Sequence, residues 1–218
     1  MPRYRRARQS LLLGVSVSLV MTSVALAGEA PPGVRFEAGA RFGVAFPTGG
    51  EFDDDYDYLL HRAYPIGVDL GVRLSELIFI GTYFSYAPTI AYEPFPSRVD
   101  LCPPGCSIQV YRFGLQLQVH PADGRWGLFD PWVGVGGGYE IQHQTRSFEH
   151  VGWVSGSIRG PEYINFQIGL GFVLGKGFTL GPYFSASLAE YQVAYDVPVP
   201  NPELHWWLTV GIRLSITP

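Results

Sequence analysis

The sequence predicts an all-β protein, an eight-stranded antiparallel up-and-down transmembrane β-barrel with long extracellular loops and short periplasmic turns. Three observations carry the prediction. An apolar residue at every second position recurs along eight separate segments, the mark of strands whose two faces meet different surroundings. The connectors between those segments alternate short and long. The chain opens with an export address, yet beyond it holds no apolar run long enough for a membrane helix.

Residues 1–27 read as a signal peptide. MPRYRRARQS carries Arg3, Arg5, Arg6 and Arg8 without an acid, SLLLGVSVSLVMTSV is apolar, and Ala25-Leu26-Ala27 is a small-residue cleavage site before Gly28. Cleavage there leaves residues 28–218 as one barrel domain. Four arginines depart with the signal, so 15 cationic residues fall to 11 against 19 acids, and a charge near −8 speaks against nucleic acid as a partner.

The strands follow in order. Val34 to Phe46 places Val34, Phe36, Ala38, Ala40 and Phe42 opposite Arg35, Glu37, Gly39 and Arg41, and YPIGVDLGVRL places Ile66, Val68, Leu70 and Val72 opposite Gly67, Asp69, Gly71 and Arg73. IFIGTYFSY has Ile78, Ile80 and Phe84 on one side and Gly81, Tyr83 and Ser85 on the other. YRFGLQLQVH sets Phe113, Leu115 and Leu117 against Arg112, Gly114, Gln116 and Gln118, and WVGVGGGYEIQ sets Val133, Val135 and Tyr139 against Gly134, Gly136, Gly138 and Glu140. YINFQIGLGFVL, FTLGPYFSASL and HWWLTVGIRLSI complete the eight. The connectors SEL, PADGRWGLFD and GKG are short, whereas residues 47–63, 87–107, 143–162 and 190–203 make long loops.

A soluble sandwich would turn faces rich in Lys, Glu and Asp to water. Here the polar face is mainly Gly, Gln, Ser and Thr, and Lys176 is the one lysine of the chain, which suits a narrow interior. The alternation points Arg35, Arg41, Arg73, Arg112 and Arg213 inward together with Glu37, Asp69 and Glu140. Buried charges must pair, so these eight are expected to form a network that plugs the lumen, with Gln116, Gln118, Gln142, Gln167 or trapped water sharing a surplus of two cations. Phe46, Tyr64, Tyr86, Tyr111, Tyr139 and Trp206 fall toward the loop ends, and Phe36, Phe172 and Phe178 toward the turn ends, as two aromatic girdles.

With the signal peptide, the eight amphipathic strands, the Gly-rich stretches FEAGARFGVAFPTG and PWVGVGGGYE and the apolar closing strand, the chain resembles the small eight-stranded outer-membrane β-barrel family, the architecture of outer membrane protein A and its porin-like relatives, over residues 33–218. The resemblance implies an integral place in the outer membrane of a Gram-negative envelope with both termini periplasmic. It also implies outer-membrane lipid and lipopolysaccharide as surroundings, the barrel-assembly machinery as a folding partner, and a monomer. The chain departs from the family in ending Ile216-Thr217-Pro218 rather than on an aromatic residue.

Motifs for chemistry are sparse. The glycines at 134–138 and 169–177 have neither dinucleotide nor phosphate-loop spacing and read as room for larger neighbours inside the barrel. Asp53, Asp54, Asp55 and Asp57 in EFDDDYDY are hard oxygen ligands without calcium-loop spacing, so they read as a solvated loop and only weak metal candidates. No cofactor is expected. Ser187 and His205 fall diagonally close on the last two strands, which permits a lipid or ester hydrolase as a reading. Porin-like passage of small, even apolar, solutes is another. The reading that needs fewest special groups is a non-enzymatic barrel with an envelope-structural or surface-display role.

Cys102 and Cys106 in LCPPGCS, the only cysteines, lie in the second long loop of an exported chain and are expected to form a local disulfide. So small a ring stabilises by only about 2 kcal/mol. Cys102→Ser should therefore leave the yield of folded barrel unchanged on gels run without boiling, and a large loss would misplace the loop.

Overall fold

The computed structural model describes residues 33–51, 54–55, 60–91, 107–121, 127–148, 152–175 and 177–218. The signal peptide, Asp53 and Asp57 of the acidic loop, and Cys102 with Cys106 lie outside the described residues, while Asp54–Asp55 pairs with Gly50 and Glu51 as a short strand. Among the described residues eight strands form the wall: β1 (Arg35–Glu51), β2 (Ile66–Arg73, continued on its loop side by Leu60–Ala63), β3 (Ile78–Ala91), β4 (Ser107–Val119), β5 (Phe129–Phe148), β6 (Gly152–Gly175), β7 (Phe178–Glu190) and β8 (Leu204–Ile216).

Each strand pairs antiparallel with the next, and β8 returns to β1 from Ala38↔Ile216 to Gly49↔His205, so the sheet is closed. One row of partners runs Gly39, Asp69, Tyr83, Gly114, Gly138, Glu162, Ala189, His205 and back to β1 at Gly49, ten residues beyond its start. That stagger tilts the strands, and eight tilted strands enclose a space that side chains fill.

The alternation dictates the two surfaces. Outward residues such as Phe42, Ile66, Leu115, Phe166 and Ile212 are large, apolar and exposed, and together they form a band around the wall far larger than the apolar patches of soluble proteins. Such a band is stable only against hydrocarbon. Aromatic rings border it: Tyr86 and Tyr111 lie 5.2 Å apart toward the loop end, and Phe129 and Phe172 lie 5.6 Å apart toward the turn end.

Inside, glycines and aromatic rings are complementary. A Cβ on Gly71 or Gly81 would lie 2.7 or 2.6 Å from the Phe79 ring, and one on Gly169 would lie 2.6 Å from the Trp132 ring. Tyr183 fills the space beside Gly211 in the same way. The glycines are thus niches for inward rings, from the neighbouring strand at Gly71, Gly169 and Gly211 and from the same strand at Gly81.

Strand β6 carries a bulge. Asn165 pairs with Gly136 and Glu162 with Gly138, while Ile164 and Glu162 face the consecutive residues Leu188 and Ala189 of β7, so Tyr163 is extra relative to both neighbours. Tyr163 and Ile164 both point outward as a result, and Glu162 turns into the lumen.

Two expected loops are largely regular. β5 and β6 run on to Phe148 and Gly152, so most of 143–162 is a β-ribbon. Residues 190–203 contain a hairpin, Val193–Ala194 with Val197–Pro198, docked on Arg159 and Ile158 of β6. Polar residues continue along the ribbon where apolar alternation has ended, which is why the periodicity stops before the pairing does. The hairpin turns at Tyr195 and Asp196, with φ of 52° and 64°, the left-handed geometry that matches strand twist but is disfavoured for residues with a Cβ. Three contacts hold it. The Tyr195 ring covers Gly156, where a Cβ would lie 2.1 Å from a ring carbon; the Tyr195 hydroxyl donates to Gln144 Oε1 at 3.3 Å; and Asp196 pairs with Arg159 at 3.0 Å.

The niche arrangement makes Gly169→Val an overpacking change, expected to destabilise the barrel by roughly 1–3 kcal/mol. Unfolding in detergent should show the loss, and Trp132→Leu in the same chain should recover part of it; an unchanged midpoint for Gly169→Val would refute the niche.

Candidate functional site in the barrel lumen

Strand parity brings most of the expected charged residues into the lumen, where they form two groups. Toward the turn end, Arg213 donates from Nη2 to Glu37 Oε1 at 2.8 Å and from Nε to Asp69 Oδ2 at 3.2 Å. Arg73 Nε donates to Glu37 Oε2 at 2.8 Å and Arg41 Nε to Asp69 Oδ2 at 2.7 Å. Gln116 closes the circuit, accepting from Arg41 Nη2 at 2.9 Å and donating to Asp69 Oδ1 at 2.9 Å. The arginines also stack: the Arg213 guanidinium lies 4.9 Å from the Trp132 ring centroid and that of Arg41 lies 5.6 Å from Tyr183.

His120 completes this group at the mouth. Its Nδ1 lies 2.9 Å from Asp130 Oδ1 and its Nε2 lies 3.3 Å from Arg73 Nη2, so the tautomer with its proton on Nδ1 suits both neighbours.

Toward the loop end, Glu140 Oε1 accepts from the Tyr191 hydroxyl, from His205 Nε2 at 3.1 Å and from Trp207 Nε1 at 3.1 Å. Glu162 accepts from Tyr83 at 2.5 Å and from Asn165 at 2.9 Å, and lies 3.8 Å from Arg112. Arg112 donates to Ser187 Oγ at 2.7 Å and sits over the Trp207 ring. Beyond these groups the lumen becomes apolar, with Ala45, Ala63, Ala87, Ile108, Val110 and Ile158 packed around Tyr191 and Trp207.

The structure corrects several expectations. Arg35 is not in the buried network: it pairs with Glu76 at the exposed turn-end rim, because alternation gives the side a residue faces but not its height. Glu162, expected in a loop, takes an inward place through the bulge. Among the described residues the buried arginines are therefore four, Arg41, Arg73, Arg112 and Arg213, against four acids, Glu37, Asp69, Glu140 and Glu162, and these show no surplus of two cations. The glutamines do not share one task. Gln116 bonds to both Arg41 and Asp69, Gln167 donates to Asn165 at 3.1 Å, and Gln118 has neither amide atom paired.

Ser187 and His205 lie on the same face, as their spacing indicates, but their contacts differ from those of a nucleophile and its base. The Ser187 hydroxyl meets Arg112, His205 faces Glu140 and stacks on Tyr191 with centroids 4.3 Å apart, and both are buried. Among the described residues no group of three or more His, Cys, Asp or Glu side chains is placed to hold a metal.

No protein-family model and no curated protein matches the sequence. Among solved structures the chain is similar to Neisserial surface protein A, at 11% identity, a TM-score of 0.46, and coverage of 85% of this chain and 99% of that one. It is similar to the outer membrane protein OprG from Pseudomonas aeruginosa, at 12% identity, a TM-score of 0.46, and coverage of 84% and 96%. It is also similar to Ail, the attachment invasion locus protein of Yersinia pestis, at 14% identity, a TM-score of 0.41, and coverage of 82% and 98%.

The two groups differ in cost of disruption from the rim pair. Removing one partner of a buried pair leaves a charge uncompensated, so Asp69→Ala, which takes a carboxylate from Arg41 and Arg213, should destabilise by about 3–5 kcal/mol, and Glu140→Ala, which removes a buried acceptor shared by Tyr191, His205 and Trp207, by about 1–3 kcal/mol. Arg35→Ala should change stability by no more than about 1 kcal/mol, since its pair is exposed. Detergent unfolding midpoints give the comparison; equal shifts in all three would contradict it. The chain is an eight-stranded antiparallel β-barrel with an apolar exterior and a filled, charge-balanced interior, similar to small outer-membrane barrels.

Proposed function

We propose that the protein is a non-enzymatic integral barrel of the outer membrane whose lumen is plugged, with an envelope-structural or surface-display role. The observation that carries this reading is the set of contacts that cross the lumen: Arg41 of β1 donates to Gln116 of β4, Tyr83 of β3 to Glu162 of β6 and Arg112 of β4 to Ser187 of β7, and Arg213 of β8 lies over the Trp132 ring of β5, so the side chains span the interior rather than lining a hole. A porin-like role needs a continuous path, and the ring-filled, paired interior opposes one. The ribbon of β5 and β6 with its docked hairpin supports display, because it holds a shaped surface at the loop end without help from the membrane.

In planar bilayers the folded protein should give no steady ion conductance, and free conductance would replace this reading with a pore. Fractionation should place it in the outer membrane with faster gel migration before boiling than after. Orientation has a direct test. By sequence Lys176 lies in the connector GKG between β6 and β7, which this reading puts on the periplasmic side, so a membrane-impermeant amine reagent should label Lys176 in broken cells and not in intact ones. Labelling of Lys176 in intact cells would invert the barrel.

A further inference from the structure

The two lumen groups are separate. Among the described residues no hydrogen bond or ion pair joins Glu37, Arg41, Asp69, Arg73 or Arg213 to Arg112, Glu140 or Glu162. Between them lies a cavity of about 30 Å³, lined by Arg41 and Asp69 on the turn side, by Arg112 and Asn165 on the loop side, and by Ser185 and Thr209. Thr209 is 2% exposed and its Oγ1 has no hydrogen-bond partner. A cavity of this size accommodates a water, and water is stable where polar partners surround it.

We propose that this cavity is an occluded water site at mid-lumen, closed on the turn side by the Glu37–Asp69–Arg213 group and on the loop side by the Arg112–Glu140–Trp207 group, either of which seals the barrel alone. The inference rests on the plugged reading and goes beyond it. Water is the occupant because Arg41 and Arg112 repel a bare cation, Asp69 repels an anion, and the volume excludes either with its hydration shell. The water answers Thr209 and reaches across to both groups. Each seal is independent because each satisfies its own charges. Arg213 bonds Glu37 and Asp69 and lies over Trp132, so its loss opens the turn-side group and leaves the charges of the loop-side group paired. Trp207 bonds Glu140 and lies under Arg112, so its loss opens the loop-side group and leaves the charges of the turn-side group paired.

The test uses the full barrel in vesicles of one orientation, with folding checked by gel migration without boiling. Thr209→Cys places a thiol in the cavity, probed with a charged methanethiosulfonate and read as the mass of the peptide holding residue 209. In an otherwise unchanged barrel the thiol should not react. With Arg213→Ala it should react only with reagent on the turn side, and with Trp207→Ala only with reagent on the loop side. Neither single variant should conduct ions in a planar bilayer, and Arg213→Ala with Trp207→Ala together should. Trp207→Leu replaces Trp207→Ala if the latter does not fold. Reaction of Thr209→Cys in the unchanged barrel, conductance from either single variant, or silence of the folded double variant overturns the two-seal site. Conductance from the wild type is a different result, because it removes the plugged reading itself.

Discussion

A polypeptide in hydrocarbon has no water to satisfy its N–H and C=O groups, and the structure follows from that constraint. A sheet meets it only by leaving no edge. The seam between β1 and β8, twelve residue pairs long, removes the last edge, and the stagger of ten residues around the ring sets how strongly the strands tilt. Once strand number and tilt are set, so is the bore. An eight-stranded wall is too narrow to leave its inward side chains in bulk water and too wide to be filled by small ones.

The interior is thus a packing problem with polar pieces. Rings projecting from one strand meet glycines on the next, as Phe79 meets Gly71 and Trp132 meets Gly169. Guanidinium groups lie over inward rings, as Arg213 does over Trp132, while their N–H groups reach the acids, so arginine serves as both filler and partner, which the point charge of lysine does less well. The same geometry that makes the lumen compact keeps its four cations matched to four acids.

The wall was readily legible in the sequence because one side of every strand faces lipid, and a period of two then has strong contrast. The site was legible in part. Parity puts Glu37, Arg41, Asp69, Arg73, Arg112, Glu140 and Arg213 on one side of the wall, since a residue's side depends on counting alone. Height is not encoded in parity, so Arg35 was placed with them although it stands at the rim. Glu162 was hidden because the bulge at Tyr163 shifts the count by one, and no local residue pattern announces it. His120 shares the polar face of YRFGLQLQVH, whereas Asp130 stands in the stretch that reads as a connector, PADGRWGLFD, although it pairs with Gly171. The ribbon beyond Gln142 resembles a loop in sequence because its polar faces erase the contrast while backbone pairing continues.

The bulge has a bearing on how such a wall can change over descent. In a turn, one residue more or less alters a local path. In a wall strand it is an inversion, since everything between the change and the strand's end exchanges lipid for lumen. Tyr163 is an inversion already absorbed: with it, Ile158 and Glu162 face inward and Arg159 lies on the outer side. A lineage that lost this residue would face a coordinated rearrangement of β6 against β5 and β7, so the extra residue separates this barrel from any without it by a step that single substitutions cannot cross.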